Sequence, residues 1–382
     1  TFVYGAFFTS VIASDEKTGT LLWTSAIAIT AVVVSLLSPI LGALADRGGY
    51  RKFFLISFTW ICAIFSILLY FPKAGDVYFA LSLFIVANIA FEMGSVFCNS
   101  YLPDLSERKN IGKISGFAWG LGFVGGLSAL FLSLMLFPNL DSEGIRSINI
   151  LVGVWFLIFS IPTFLFIKDR KSEKLKKHHI TDSFKSIKNT FKEVVKYKII
   201  LQFLIARLFF NDGLVTIFAL GGIYAVDTLD FTFDEVMMLG IVLNISAGIG
   251  SFVFGYLEDK IGVKKVINIS LLVLIGATLI AYLAPETNSP KQMFWVAGVF
   301  IGLMVGPNQS CSRSLMAQLT PKEKQNEFFG FFALTGKATS FLGPLLFGFI
   351  TLKYSQQIAL WVVIVFFIIG LFLFNRIQFK ED

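Results

Sequence analysis

The sequence predicts an all-α membrane protein of twelve apolar helices in two repeated halves of six. Three observations predict it. A short charged loop occurs twice in register: Gly42-Ala-Leu-Ala-Asp46-Arg47-Gly-Gly49-Tyr-Arg51-Lys52 and, 213 positions on, Gly255-Tyr-Leu-Glu-Asp259-Lys260-Ile-Gly262-Val-Lys264-Lys265. The chain is 55% hydrophobic and only 15% charged, and its 44 Phe in 382 residues would overfill a water-soluble core. Finally, 25 of the 32 Lys and Arg fall in alternate loops, the pattern that orients a chain across a bilayer.

A helix crossing the ~30 Å hydrocarbon layer needs about 20 mostly apolar residues. Lipid offers backbone amides no partners, so each such run must be helical. In order, the runs cover 1–13, 20–44, 52–71, 77–101, 114–137 and 147–167, then 199–226, 235–257, 265–284, 292–313, 327–351 and 357–375. The first is too short to span. By the repeat offset residue 1 corresponds to Leu214, midway along the seventh run. The natural chain is therefore expected to start earlier, with helix one truncated here. Only Lys17, Lys73, Arg146, Lys291 and Lys353 lie in the opposite loops, so both termini are expected in the cytoplasm.

Three domains follow: a first bundle at 1–167, a basic linker at 168–198 and a second bundle at 199–382. Within the linker, Phe184, Ile187, Phe191 and Val194 share one helical face with lysines opposite, which suits a helix at the membrane surface or a solvated linker. A second repeat supports the duplication. The stretch from Leu105 to Phe117 aligns with that from Leu319 to Phe331 at an offset of 214. Two halves of like topology are expected about an axis along the membrane normal.

The net charge of +7 sits in loops rather than on a reader domain, so no nucleic-acid partner is expected. Cys62, Cys98 and Cys311 lie in apolar runs and His178 and His179 in the basic linker, without disulfide or zinc spacing. No metal or cofactor is expected. A phosphate-binding loop of the G-x-x-x-x-G-K-S/T type is missing from the sequence, so ATP is not the expected power source and the chain is not expected to be an enzyme.

Charges inside a bilayer are costly and normally face a wet cavity or a partner. Asn88 and Glu92 lie one turn apart on the fourth run, Arg207, Asn211 and Asp212 on the seventh, Asn308, Gln309 and Arg313 on the tenth and Lys337 on the eleventh. At ~1.5 Å per residue, Glu92, Arg207 and Lys337 lie about 14, 12 and 15 Å from their cytoplasmic helix ends. They can share one layer, with Asp212 nearer the midplane. Such a layer could hold a zwitterion or carboxylate and pass a proton. Alternatively, Glu92 pairs with Arg207 or Lys337 merely for mutual satisfaction. Arg313 is close enough to the surface to snorkel. Asp46 and Asp259, at helix ends, can meet the positive N-terminus of the eleventh or fifth helix.

The two loops resemble the G-x-L-a-D-r-x-G-r-r-k motif of the major facilitator superfamily, which joins helices 2 and 3 and recurs between 8 and 9. Finer motifs resemble its vacuole-effluxer branch. These are Asn99-Ser-Tyr-Leu-Pro103-Asp104 with Gly112-Lys-Ile-Ser-Gly116, Asn211-Asp212-Gly213 with Gly221-Gly222-Ile-Tyr224-Ala225, and Ser312-Arg313-Ser314 with Phe328-Phe-Gly330-Phe331. The resemblance implies a secondary transporter working by alternating access. It also implies that contacts of Asp46, Arg47, Arg51, Asp259, Lys260 and Lys264 lock the cytoplasmic side. A small charged or polar solute is the implied partner beside the lipid bilayer, with amino acids and efflux as first readings and proton coupling as an option. A monomer in a bacterial plasma membrane is expected, with the vacuolar membrane as alternative. The rival readings are a carrier of lipid or another amphiphile, and a membrane scaffold without transport. The sequence departs from the superfamily in lacking an arginine in the fourth run and in having Leu121 where an antiporter proline falls.

Overall fold

The computed structural model describes residues 2–13, 16–137, 142–168 and 197–378. The linker's expected amphipathic face, with His178 and His179, lies outside the described residues. Among these residues every regular element is a helix, and no strand occurs.

The helices are α1 (Phe2–Phe7, continued by a π turn to Ile12), α2 (Glu16–Gly48), α3 (Arg51–Leu68), α4 (Val77–Ser100), α5 (Ile111–Leu136) and α6 (Ser142–Phe166). After the linker come α7 (Lys198–Leu229), α8 (Phe233–Ile261), α9 (Val263–Leu283), α10 (Pro290–Leu319), α11 (Gln325–Lys337), α12 (Leu342–Lys353) and α13 (Gln356–Asn375). Every apolar run is thus helical, and among the described residues ten stretches are long and apolar enough to cross a membrane. α1 is too short. α10 has the length, but Pro307, Asn308 and Gln309 interrupt its apolar run.

One expectation changes. The run 327–351 reads as a single helix, whereas the structure breaks it between Lys337 and Leu342. Pro344 explains the break: it cannot donate to the Ser340 carbonyl, and its ring crowds that oxygen. Within the first turn of a new helix starting at Leu342, the missing donor costs nothing, because those N–H groups have no intrahelical acceptor.

The described chain resolves into two compact units. The first takes Thr1–Ser100, Ser128–Ile187 and Glu323–Lys337, and so includes α11; the second takes Tyr101–Leu127, Lys188–Lys322 and Ala338–Asp382, and so includes the first part of α5. In the first unit α11 packs along α2, and α3 against α4 and α6. Tyr4, Phe7, Phe8, Trp23 and Phe84 form an aromatic cluster there, the Trp23 and Phe84 rings 4.1 Å apart. In the second unit α10 packs against α8 and α9, and α13 against α7. Its core gathers Tyr224, Leu229, Phe231, Phe294 and Phe347.

Candidate functional site

Each repeated loop turns on a glycine in the left-handed region, Gly49 at φ +64° and Gly262 at φ +91°. The turn leaves an aspartate on the last turn of the preceding helix, aimed at another helix's first turn.

In the first unit Asp46 accepts from the Asn326 backbone N–H (3.1 Å), the Asn326 side-chain amide (2.6 Å) and the Glu327 N–H (2.8 Å). The two backbone N–H groups are orphan donors at the start of α11, so the carboxylate both satisfies them and meets the positive end of the helix. Gly42, one turn before Asp46, permits the approach: a Cβ there would run into the Asn326 carbonyl. The Ser100 hydroxyl donates to the Asn326 side-chain oxygen (2.5 Å). Buried Arg51 donates to the Ser100 carbonyl (3.0 Å) and the Gln325 side chain (3.1 Å), tying α3, α4 and α11 together. The Arg47 side chain lies outside the described ones.

In the second unit Asp259 accepts from the N–H groups of Gly112 (2.8 Å) and Lys113 (2.9 Å), the first turn of α5. Gly116 and Gly255 lie against each other, allowing this approach. Glu258 is buried beside Asp259 and accepts from the Ser314 hydroxyl. Lys260 stands over the Tyr256 ring at 4.4 Å, and Lys264 donates to the Ile377 carbonyl at the end of α13 (2.7 Å). Arg313 does not snorkel. It turns inward and donates to the hydroxyl (3.0 Å) and carbonyl (2.7 Å) of Ser115 on α5.

The mid-helix candidates fall into separate groups. In the first unit Lys337, the last residue of α11, forms an ion pair with Glu92 of α4 at 2.7 Å. Both side chains stay partly exposed, at 36% and 23%. Asn88 lies one turn from Glu92 on α4 and is half-buried. In the second unit Arg207 and Asn211 are buried on α7, and Gln309 of α10 donates to the Asn211 side-chain oxygen (3.2 Å). Asn308 instead faces α9, donating to the Ser270 hydroxyl (2.9 Å). Asp212, only 1% exposed, accepts from the Thr339 hydroxyl (3.2 Å) beside the helix break.

Sequence reasoning missed Ser100, Gln325, Asn326 and Glu258. A signal existed for Glu258 and Asn326. In the aligned repeats they stand opposite Ala45 and Gly112, so a polar group in one copy faces a small residue in the other.

Comparisons with known proteins agree with this architecture. The family model described as "Vacuole effluxer Atg22 like" matches residues 14–381. The MFS-type transporter YxiO of Bacillus subtilis is 27% identical over 371 residues, covering 95% of this chain and 85% of that protein. Autophagy-related protein 22 of Yarrowia lipolytica is 25% identical, covering 92% of this chain and 74% of its own. Among solved structures, the proton:xylose symporter XylE superposes with a TM-score of 0.75 at 14% identity, over 99% of this chain and 90% of that one. A bacterial homologue of the iron transporter ferroportin, in an outward-facing state, superposes with a TM-score of 0.73 at 14% identity, over 98% of this chain and 93% of that one. At such identity the structural likeness speaks for the fold alone, the major facilitator fold.

Proposed function

The chain belongs to the vacuole effluxer Atg22 like family of MFS-type transporters, and from that premise we propose that it is a secondary carrier exporting small charged or zwitterionic solutes, amino acids first. The observation that carries this reading is the Glu92–Lys337 pair. A structural ion pair is normally either surface-exposed and weak or dry and locked. This pair is formed at membrane depth yet both side chains keep part of their surface uncovered. A zwitterion can exchange into it, its ammonium replacing Lys337 at Glu92 and its carboxylate replacing Glu92 at Lys337.

In this reading the carrier works by alternating access. The Asp46 and Asp259 contacts close the cytoplasmic ends and must break for the inward-open state. It acts as a monomer with both termini in the cytoplasm, in a bacterial plasma membrane; the fungal relatives favour a vacuolar membrane as the other setting. The test is flux of radiolabelled amino acids in proteoliposomes, with and without a pH gradient. Glu92→Gln and Lys337→Ala are each expected to reduce flux at least about tenfold, the ~1.4 kcal/mol scale of one charge-assisted hydrogen bond. Wild-type protein that moves no amino acid but does move a phospholipid analogue would replace this reading with the amphiphile carrier.

A further inference from the structure

We infer that Asp212, together with the break between α11 and α12, forms a binding site for a small monovalent cation, a proton or Na⁺, which drives the transport proposed above and rests on that reading. Asp212 lies midway along α7 and is 1% exposed. Its Oδ1 accepts from Thr339, but Oδ2 is buried without a hydrogen-bond partner among the described residues. A carboxylate held so in a membrane interior is too costly to remain bare, and is neutralised by a proton or a bound cation.

The surrounding helices do not neutralise it. α13 is uncharged from Gln356 to Asn375, and α12 carries only Lys353 at its far end. On α10, Lys291 pairs with Glu235 of α8, and Arg313 binds Ser115. The remaining α8 charges lie at its two ends, Asp234 at the start and Glu258, Asp259 and Lys260 at the finish, as do Lys198 and Asp227 on α7. Arg207 precedes Asp212 by five residues, about 140° around the helix. Lys337 is bound to Glu92.

The break supplies the rest of the site. The unwound residues 338–341 bring Thr339 to Asp212, and such discontinuities in a membrane helix expose backbone oxygens able to hold a cation. Gly343 presses α12 onto α7 at this level: a Cβ there would strike the Thr216 hydroxyl and lie 3.0 Å from the Asp212 carbonyl. This close packing encloses Asp212, and an enclosed carboxylate suits a proton or a bare ion.

Two measurements on the purified full chain test this without any transported solute. Infrared difference spectra across a pH titration in choline chloride read the protonated-carboxyl carbonyl band. Thermal unfolding in NaCl against choline chloride reads sodium. A titrating band present in wild type and lost in Asp212→Asn identifies the proton. A rise in Tm specific to NaCl and lost in Asp212→Asn identifies Na⁺. Thr339→Val, which keeps the carboxyl and should fold, is expected to move the band or shrink the sodium shift. Identical spectra and identical sodium responses in wild type and Asp212→Asn overturn the inference. Intact cation signals in a protein that moves no amino acid would refute the export reading alone.

Discussion

In the first copy of the charged loop Asp46 follows Ala45 and faces Asn326; in the second, Asp259 follows Glu258 and faces Gly112. The aligned positions have traded a polar side chain for a small one across the contact. In the first unit Asn326, from the capped helix, fills the space before the aspartate and takes the Ser100 hydroxyl. In the second, Glu258 fills it from the aspartate's own helix and takes the Ser314 hydroxyl, and Ser314 aligns with Ser100 at the 214 offset. The duplicated halves thus keep a carboxylate on a helix N-terminus and a serine behind it. Which helix contributes the intervening polar group is free to change.

The sharpest way to break this comparison is Gly112→Asn. A Cβ at Gly112 would lie 2.7 Å from both Cβ and Cδ of Glu258, so the variant is expected to lose about 3 kcal/mol or more of stability by overpacking. Gly112→Asn with Glu258→Ala recreates the first unit's pair and should recover more than half of that in detergent unfolding curves. Two losses that simply add would end the exchange argument. Next in size is Asp46→Ala, which strands three donors where Asp259→Ala strands two. Losses of about 3 and 1.5 kcal/mol are expected from charge-assisted bonds at these depths, and equal losses would show that the Asn326 amide adds nothing. Arg51→Ala removes donors to Ser100 and Gln325 and should cost about 1–2 kcal/mol. Part of that cost should vanish without Asn326, since both hold Ser100; Arg51→Ala in an Asn326→Ala background measures that coupling. Smallest is Lys260→Ala. That side chain is exposed above Tyr256, and no measurable change in Tm is expected at physiological salt.

Much of the fold was legible because a bilayer imposes one solution on long apolar runs. The helix positions, and the register that places Asp46 and Asp259 on helix N-termini, follow from run lengths and a fixed offset. The pairing of Glu92 with Lys337, rather than with Arg207, was not legible: depth along a helix leaves its azimuth and its neighbour open. The helix break was half legible. Gly343-Pro344 marks it, yet Pro39, Pro162 and Pro307 stand inside unbroken helices, so proline alone does not decide. Thr339 and Ser340 before it, with a hydroxyl drawn to Asp212, tip this one. Arg313 misled because closeness to the surface permits snorkelling but does not compel it when buried serine oxygens are nearer.

The interruption after Lys337 also bears on biosynthesis. α11 has 13 residues and α12 has 12, roughly 20 and 18 Å of helix. Neither reaches across the ~30 Å of hydrocarbon by itself. The two pieces must therefore be handed from the insertion machinery into lipid as one stretch, bent or straight, before α13 can take its place. A chain cut just past residue 337 would end in a half-length rod that lipid has little reason to keep.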